Sequence, residues 1–194
     1  MNAPEPKVAA EPYLLESRDA AGVVTLTMNR PQQFNALSVE MMTALQAALD
    51  AVAADPSARV VVLAGAGRAF CAGHDLKQMK EETSLDTYRA LFAQCAKLML
   101  TIQRMPQPVI ARVHGVATAA GCQLVATCDL AVAVEGARFG VSGINVGLFC
   151  TTPGVALARN VGRKQAFEML VTGDLIDAQT ARERGLVNRV VAAD

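Results

Sequence analysis

Short apolar runs and amphipathic stretches alternate along this chain. Val23 to Met28, Arg59 to Ala64, Val109 to Val113 and Leu130 to Val134 are runs rich in β-branched and aliphatic residues, and each predicts a strand. Leu186 to Val191 predicts a final strand. Because helical patterns separate these runs, we expect an α/β domain with largely parallel strand pairing.

The helices between the strands are predicted from capping residues and from the spacing of apolar positions. Ser38 can cap a helix that begins at Val39, and Asp55-Pro56 ends it. Gly185 is placed to end the last helix. The other predicted helices run from Asp75, from Ser84 to Arg104, from Gly121 to Thr127, from Pro153, and from Ala178 to Arg184 with Asp177 as the cap.

Composition limits the classes of protein to which this chain can belong. A chain of 194 residues that is 52% hydrophobic can form one domain with a sizeable core. We expect that domain over residues 13–194 and a flexible tail over residues 1–12. Lys and Arg number 18, as do Asp and Glu, so charge gives no case for nucleic acid or an anionic membrane surface. No apolar run reaches the ~18 residues of a membrane span.

Five cysteines are scattered along the chain without a C-x-x-C pair. This pattern favours reduced thiols over a disulfide framework, and it gives no case for a metal site. The first residues lack a basic region followed by an apolar core, so they do not resemble a secretory signal. We therefore expect a cytoplasmic location.

Two loops combine small residues with the start of a helix. They run from Cys71 to Lys77 and from Ala117 to Gly121. Backbone N–H groups at such a point can face developing negative charge, and the helix dipole adds to the effect. Each loop alone is more often a matter of tight packing than of function.

Taken together and in order, the two loops resemble a known signature. Ala-Gly-His-Asp-Leu-Lys, Pro-Val-Ile-Ala, His-Gly with a small-residue turn, and Cys-Asp-Leu resemble the crotonase superfamily of enoyl-CoA hydratases and isomerases. Ala-Thr-Ala-Ala-Gly-Cys-Gln-Leu-Val-Ala and Asn-Val-Gly-Leu-Phe-Cys are similar to the enoyl-CoA hydratase domain-containing protein 3 group. The resemblance implies a crotonase-like spiral of ββα units that assembles as a homotrimer or hexamer.

The resemblance also assigns roles to residues. It implies that the backbone N–H groups of His74 and Ala120 form an oxyanion hole for an acyl-CoA thioester. His74, Asp75, Leu76 and Lys77 would also line the adenine end of coenzyme A, which enters as part of the substrate and not as a separate cofactor. Arg30 lies where the family often contacts the CoA phosphates; Gln33 beside it replaces a basic residue.

Two positions depart from the family pattern. The hydratases carry acid/base glutamates where this chain has Gln123 and Gly143. An amide can orient a water but cannot take its proton, and glycine has no side chain. Each positioned acid or base contributes about 10²–10⁴ in rate, so we expect hydration to be very slow or absent. The only nearby acids that the sequence offers are Glu81, Glu82 and Asp86.

Several interpretations stay open on the sequence alone. The chain can be an acyl-CoA enzyme of altered chemistry, a non-catalytic acyl-CoA-binding protein or a plain enoyl-CoA hydratase. RNA binding, known in one crotonase branch, requires a basic helix. The predicted helix from Ser84 to Arg104 has too few basic residues for that role. The imidazole of His74 could do chemistry near neutral pH, although a backbone role is favoured. Family members continue past the last strand, so the resemblance implies that a C-terminal helical part is missing here.

Overall fold

The structure, a computed structural model, describes residues 11–193. Most of the tail predicted over residues 1–12 therefore lies outside the described residues. In chain order, the strands are β1 (Leu14–Arg18), β2 (Val23–Met28), β3 (Val60–Gly65), β4 (Ala69–Cys71), β5 (Val109–Val113), β6 (Val116–Thr118), β7 (Leu130–Val134), β8 (Arg138–Gly140), β9 (Ile176–Asp177) and β10 (Arg189–Val191).

Seven α-helices and two short 3-10 segments accompany the strands in the described part of the chain. The 3-10 segments are Pro31–Gln33 and Ser142–Val146. The helices are α1 (Val39–Ala54), α2 (Leu76–Glu81), α3 (Leu85–Arg104), α4 (Ala120–Thr127), α5 (Thr151–Asn160), α6 (Arg163–Thr172) and α7 (Ala178–Glu183).

The strands form two sheets. The larger sheet has the order β1-β2-β3-β5-β7-β10, in which only the β1–β2 pair is antiparallel. The smaller sheet has the order β4-β6-β8-β9 and is parallel except for the β8–β9 pair. The predicted α/β class with largely parallel pairing is confirmed.

One arrangement repeats three times along the chain. A strand of the larger sheet is followed by a short strand of the smaller sheet and then by a helix: β3, β4 and α2; β5, β6 and α4; β7, β8 and α5. These are the ββα units that the resemblance implied. Since β4, β6 and β8 are neighbours in one sheet, the segments that follow them also come together.

Local signals explain most helix boundaries. The Ser38 hydroxyl accepts a hydrogen bond from the Met41 N–H at 3.2 Å, and Ser84 accepts one from Thr87 N–H at 3.1 Å. Asp177 caps α7 in the same way, with 2.7 Å to the Thr180 nitrogen. Met41, Met42, Leu45, Leu49 and Val52 of α1 are buried, as the helical spacing predicted.

Some elements differ from the sequence prediction. The smaller sheet was not predicted, because strands of two or three residues carry too little apolar pattern to stand out from a loop. Strand β1 and helix α6 were also missed. The last strand is shorter than the predicted Leu186–Val191, since Leu186 and Val187 are buried in the preceding turn. Helix α5 begins at Thr151, so Pro153 is its third residue and not its first.

Within the described residues, no helix is both long enough and apolar enough to cross a bilayer. The same residues contain no cluster of three or more His, Cys, Asp or Glu side chains that could hold a metal ion.

Candidate functional site

The two small-residue loops of the sequence analysis lie against each other. A Cβ added to Gly73 would lie 2.9 Å from the Ala119 Cβ and 3.0 Å from the Ala120 nitrogen. A Cβ added to Gly121 would lie 2.1 Å from the Cys71 carbonyl oxygen. Gly73 also has a φ of +90°, which L side chains rarely adopt. Glycine at both positions therefore lets the loops approach this closely.

The turn between β6 and α4 is strained. Ala119 has φ 51° and ψ −122°, a sparsely populated conformation for a residue with a Cβ, which costs on the order of 1–3 kcal/mol. Its N–H donates to the Gly140 carbonyl at 2.9 Å, and the Thr118 and Ser142 hydroxyls are hydrogen-bonded at 2.7 Å. These contacts anchor the turn on the neighbouring unit, so the conformation is held by the sheet.

Two backbone donors are left unused at this junction. Ala120 is the first residue of α4, so its N–H has no acceptor within the helix. His74 lies in a bridge with Leu37, whose N–H donates to the Gly73 carbonyl at 2.8 Å. In the described chain we find no hydrogen bond that uses the N–H of His74 or of Ala120. Two N–H groups from adjacent loops are thus available to one acceptor.

A largely apolar cavity of about 180 Å³ lies at this junction. His74 and Cys150 are the only titratable residues among those that line it, and the lining contains no carboxylate. The cavity is lined by Ala72, His74, Leu76, Met79, Phe92, Ala119, Ala120, Ser142, Gly143, Val146, Leu148, Phe149, Cys150, Thr151, Thr152 and Pro153. We call this space the first cavity.

The imidazole of His74 packs edge-to-face against the Phe92 ring, with 5.6 Å between the ring centroids. Both ring nitrogens are buried, and neither has a hydrogen-bond partner among the described residues. Burial lowers the pKa of His74, and the nearby Leu37 backbone offsets this only in part. The ring is therefore neutral near pH 7 and keeps its nitrogens away from solvent.

All five cysteines are free and buried. Burial raises the pKa of Cys71 and of Cys122 to about 12 and that of Cys95 to about 11. Burial also raises the pKa of Cys150, which lines the first cavity. A thiol with a raised pKa is a poor nucleophile, so these cysteines act as small apolar side chains.

Gly143 lies in the Ser142–Val146 segment and lines the first cavity. Its φ is outside the left-handed region. A Cβ there would lie 2.4 Å from the Leu148 carbonyl oxygen and 2.7 Å from the Cys150 sulfur. This chain therefore leaves no room for a side chain at the position, whatever its charge.

Gln123 does not line the first cavity. It lies on α4, is only 7% exposed, and faces a separate cavity of about 260 Å³ between α3, α4 and α5. Its side-chain oxygen is buried without a hydrogen-bond partner in the described chain. The two positions where the family carries glutamates thus border different cavities here.

The four residues from His74 to Lys77 divide between two pockets. His74 and Leu76 line the first cavity, whereas Asp75 and Lys77 line a polar pocket of about 330 Å³ on the other side of α2. Asp75 is also the N-cap of α2 and accepts from the Lys77 N–H at 2.9 Å. Acids outnumber bases among the side chains that line the polar pocket: Glu40, Asp75 and Glu81 against Arg30 and Lys77.

Arg30 lines that polar pocket, but the start of the described chain occupies its guanidinium. The group donates to the backbone carbonyls of Glu11 at 2.6 Å, Pro12 at 3.0 Å and Asn29 at 2.7 Å. It also lies 3.7 Å from the centroid of the Tyr13 ring. Several donors of the Arg30 guanidinium are therefore already used by backbone carbonyls.

The three acids suggested by the sequence are not in the first cavity. Glu81 lines the polar pocket, Glu82 is exposed, and Asp86 is exposed and pairs with Arg89 at 3.3 Å. Phe92 and Ala119 belong to the site but were not predicted. The Phe92 signal is only a helical position on α3, and an alanine with positive φ has no signature in a single sequence.

Comparison with known proteins agrees with this architecture. A family model described as enoyl-CoA hydratase/isomerase matches residues 18–194. The chain belongs to the enoyl-CoA hydratase/isomerase family. A relative from Xenopus laevis named enoyl-CoA hydratase domain-containing protein 3, mitochondrial, is 51% identical over 88% of this chain. Its Homo sapiens counterpart is 46% identical over 94%.

Solved structures of this family superpose closely on the chain. The crystal structure of an enoyl-CoA hydratase from Mycobacterium smegmatis has a TM-score of 0.93 and 68% identity, covering 94% of this chain and 71% of that one. The human domain-containing protein 3 structure has a TM-score of 0.89 at 45% identity, covering 93% and 71%. The predicted crotonase-like fold and the predicted likeness to the domain-containing protein 3 group are confirmed.

The comparisons also limit what can be concluded from family membership. The chain spans 58% of the Xenopus relative and 60% of the human one. Both relatives are named as mitochondrial, in conflict with the cytoplasmic location predicted from the cysteines. Relatives from Rhizobium meliloti and other bacteria carry no such name.

Proposed function

We propose that this chain binds an acyl-CoA thioester, with the thioester carbonyl oxygen between the backbone N–H groups of His74 and Ala120. The observation that carries the proposal is the strained Ala119 turn packed on Gly73, which leaves two adjacent donors free beside an apolar cavity. Such donors stabilise the negative charge of an enolate, each by about 3–4 kcal/mol. Family membership supports the choice of a CoA thioester as ligand.

Carbonyl polarisation tests this proposal without requiring turnover. A chromophoric cinnamoyl-CoA bound between the two donors should absorb at longer wavelength than the free thioester. Ala120→Pro removes one donor and should abolish the shift or the binding. The matched control is Arg163→Pro at the same position of α6, where the preceding Gly162 has a backbone conformation that tolerates proline.

The two proline variants separate the possible results. A full spectral shift in Ala120→Pro, or an equal loss in both folded variants, would contradict the assignment of Ala120. His74→Ala keeps the backbone donor and should still give the shift. If the shift disappeared in folded His74→Ala, the imidazole would be the working group instead.

We further propose that efficient enoyl-CoA hydration is not the activity of this chain. Gln123 and Gly143 carry no carboxylate, and none of the described residues that line the first cavity does. The unmodified protein should therefore hydrate crotonyl-CoA very slowly or not at all, as followed by the loss of enoyl absorbance. A hydration rate typical of enzymes, measured on a preparation free of host hydratase, would contradict this interpretation.

The crowding around Gly143 affects whether enoyl-CoA hydration could be restored by substitution. Gln123→Glu with Gly143→Glu would supply both acids, but the glutamate at 143 must displace the Leu148 backbone. We expect the double variant to be destabilised and to remain slow. Gln123→Glu alone adds a carboxylate in another cavity and should change little.

A non-catalytic acyl-CoA-binding protein is the second candidate. The raised pKa of the Cys150 thiol and the absence of a lining carboxylate among the described residues favour it over an enzyme with a hidden base. Incubation with a panel of acyl-CoAs and mass-spectrometric scanning distinguishes the two: any new product identifies an enzyme of altered chemistry, and unchanged thioesters support a binder.

The nucleotide end of the ligand is proposed to extend into the polar pocket along Asp75 and Lys77. Because acids outnumber bases there and Arg30 is partly occupied, we expect phosphates to add little affinity. Assembly as a trimer or hexamer remains a prediction, checked by the solution mass. The free, buried thiols fit a reducing compartment, either the cytoplasm or the mitochondrial location named for the vertebrate relatives.

A further inference from the structure

The outer face of helix α3 carries a pattern of its own. The inner face packs on the core, where Leu91, Leu98 and Ile102 are buried. On the opposite face, six exposed residues follow one another at alternating spacings of four and three: Asp86, Ala90, Ala93, Lys97, Leu100 and Arg104. This is the spacing at which one helix packs along another. We call these six residues the α3 seam.

The two ends of the α3 seam carry opposite charge. Asp86 lies in the first turn of the helix, and its side chain is 92% exposed. It contacts Arg89 at 3.3 Å, but an ion pair this exposed contributes little and leaves the carboxylate free to bind another cation. Lys97 and Arg104 lie in the other half of the helix. The seam is therefore acidic at its start and basic at its end.

The basic half of the α3 seam borders an open groove of about 690 Å³. The seam residues from Ala93 to Arg104 line one side of this groove, and Ala53 of α1 and Pro106 lie on the other. The described residues that line it include two cations and no acid. Leu100 is 39% exposed there. A second helix placed on the seam would cover Leu100 and would face two unopposed positive charges.

The α3 seam is complementary to itself when two copies run antiparallel. Half a turn about the middle of the helix places each of the six residues opposite another of the six, in the pairs Asp86 with Arg104, Ala90 with Leu100, and Ala93 with Lys97. Opposite charges then meet at both ends of the contact. The alanines let the helix axes approach to about 8 Å, and the stem of Lys97 can cross Ala93 with its ammonium group in water. A parallel pair in register would instead place like charges together.

We propose that the α3 seam is a contact between two copies of this chain related by a two-fold axis. The occupant of the groove is then the α3 helix of the second copy, and no ligand takes part. A two-fold contact joins two equal parts, so it produces assemblies with an even number of copies. Of the trimer and the hexamer that the sequence analysis predicted, this contact is compatible with the hexamer alone.

Solution mass, measured by sedimentation over a range of protein concentrations, tests the contact. Ala93→Arg adds a positive charge opposite Lys97 of the second copy and should reduce the mass of the assembly to half. The matched control is Ala47→Arg, an exposed alanine within α1 that does not line the groove, and it should leave the mass unchanged. The proposal is overturned if the unmodified protein is a monomer or a trimer, or if the two variants have the same mass.

Exchange of the charges gives a sharper result. Asp86→Arg and Arg104→Asp each place like charges at both ends of the contact, so each should raise the dissociation constant about tenfold or more. The double variant restores opposite charges and should recover most of the affinity. Its Asp86–Arg89 contact within the helix stays broken, so the recovery can come only from the contact between copies. A double variant as weak as the single ones would show that the two residues do not meet.

Disulfide cross-linking tests the direction of the two helices. Ala90→Cys combined with Leu100→Cys should give a covalent dimer on oxidation, seen on a non-reducing gel, because the two positions face each other in the antiparallel pair. Within one chain they are about 15 Å apart, at about 1.5 Å per residue, which is too far for a disulfide. Neither single variant should cross-link, for the same reason. A covalent dimer from a single variant, or none from the double variant, overturns the antiparallel register.

Discussion

The two sheets of this domain differ in what they contribute. The six-stranded sheet has strands of up to six residues, and its buried strand positions are all apolar, for example Val24, Leu26 and Leu63. The strands of the four-stranded sheet have two or three residues. Yet the proposed donors and the substituted glutamate position follow directly after β4, β6 and β8. One sheet provides the core, and the other positions the site.

Stability and binding can therefore be changed separately in this molecule. A side chain removed from the larger sheet leaves a cavity in the core. A side chain added near the smaller sheet pushes apart loops that nearly touch. Three measurements test whether the two sheets are separate in this way.

The largest expected effect is on the core. Leu63 lies in β3, near the centre of the larger sheet, and is 1% exposed. Leu63→Ala should lower the free energy of unfolding by about 2–5 kcal/mol, from lost burial plus the cavity left behind. Urea denaturation measures the loss, and calorimetry should find the affinity of the folded protein for a CoA thioester unchanged. A weaker affinity in folded Leu63→Ala would show that the two sheets are not independent.

A smaller loss of stability should accompany a complete loss of the site. Gly121→Ala would put a Cβ 2.1 Å from the Cys71 carbonyl oxygen and 2.7 Å from its carbon, so backbone must shift. Overpacking of this kind costs about 1–3 kcal/mol, and we expect the cinnamoyl-CoA shift to vanish.

Gly136→Ala is the matched control for that change. Nothing lies within 4 Å of its added Cβ, and its φ is not in the left-handed region, so stability should change little. An unaltered spectral shift in Gly121→Ala would mean that the loop contact does not hold the donors.

The smallest effect is one of pH. Burial lowers the pKa of His74 below its usual 6.5, so the unfolded chain binds a proton at this residue more readily than the folded chain does. Stability contributed by the neutral ring is therefore present above pH 6.5 and is lost as pH falls toward the folded pKa, at most about 1.4 kcal/mol per pH unit. His74→Phe keeps an aromatic ring against Phe92 and should lose this dependence. Matching pH profiles for both proteins would contradict the burial of the imidazole.

Sequence alone predicted five of the six strands of the larger sheet, all except β1, and none of the smaller sheet. Val23 to Met28 and Val109 to Val113 are β-branched runs long enough to show a pattern, and both strands match the structure to the residue. Capping residues such as Ser38 and Asp177 were equally readable, because a cap acts within its own first turn. Strands of three residues depend on neighbours that are distant in sequence, and no local pattern records them.

Helix α6 was not predicted, although the sequence carries the signals for it. Ala166, Met169 and Leu170 lie on one face at helical spacing, and Gly173 ends the helix with a positive φ. Those signals were available in the sequence. The strain at Ala119 was not, because the Gly140 carbonyl that accepts from its N–H belongs to another ββα unit. The crowding at Gly143 was not, because it depends on how the segment with Leu148 and Cys150 folds back onto Gly143.

The repeated ββα unit also bears on how the chain folds. Within a unit the two strands join different sheets, and every one of β3 to β8 pairs with a strand of another unit. No unit can therefore form a stable hairpin of its own, and folding must bring distant segments together, which is slow. The N–H groups of His74 and Ala120 come from successive units. These two N–H groups come together only when the units stack. A ligand held between them would therefore bind only the fully folded chain, and it would slow unfolding.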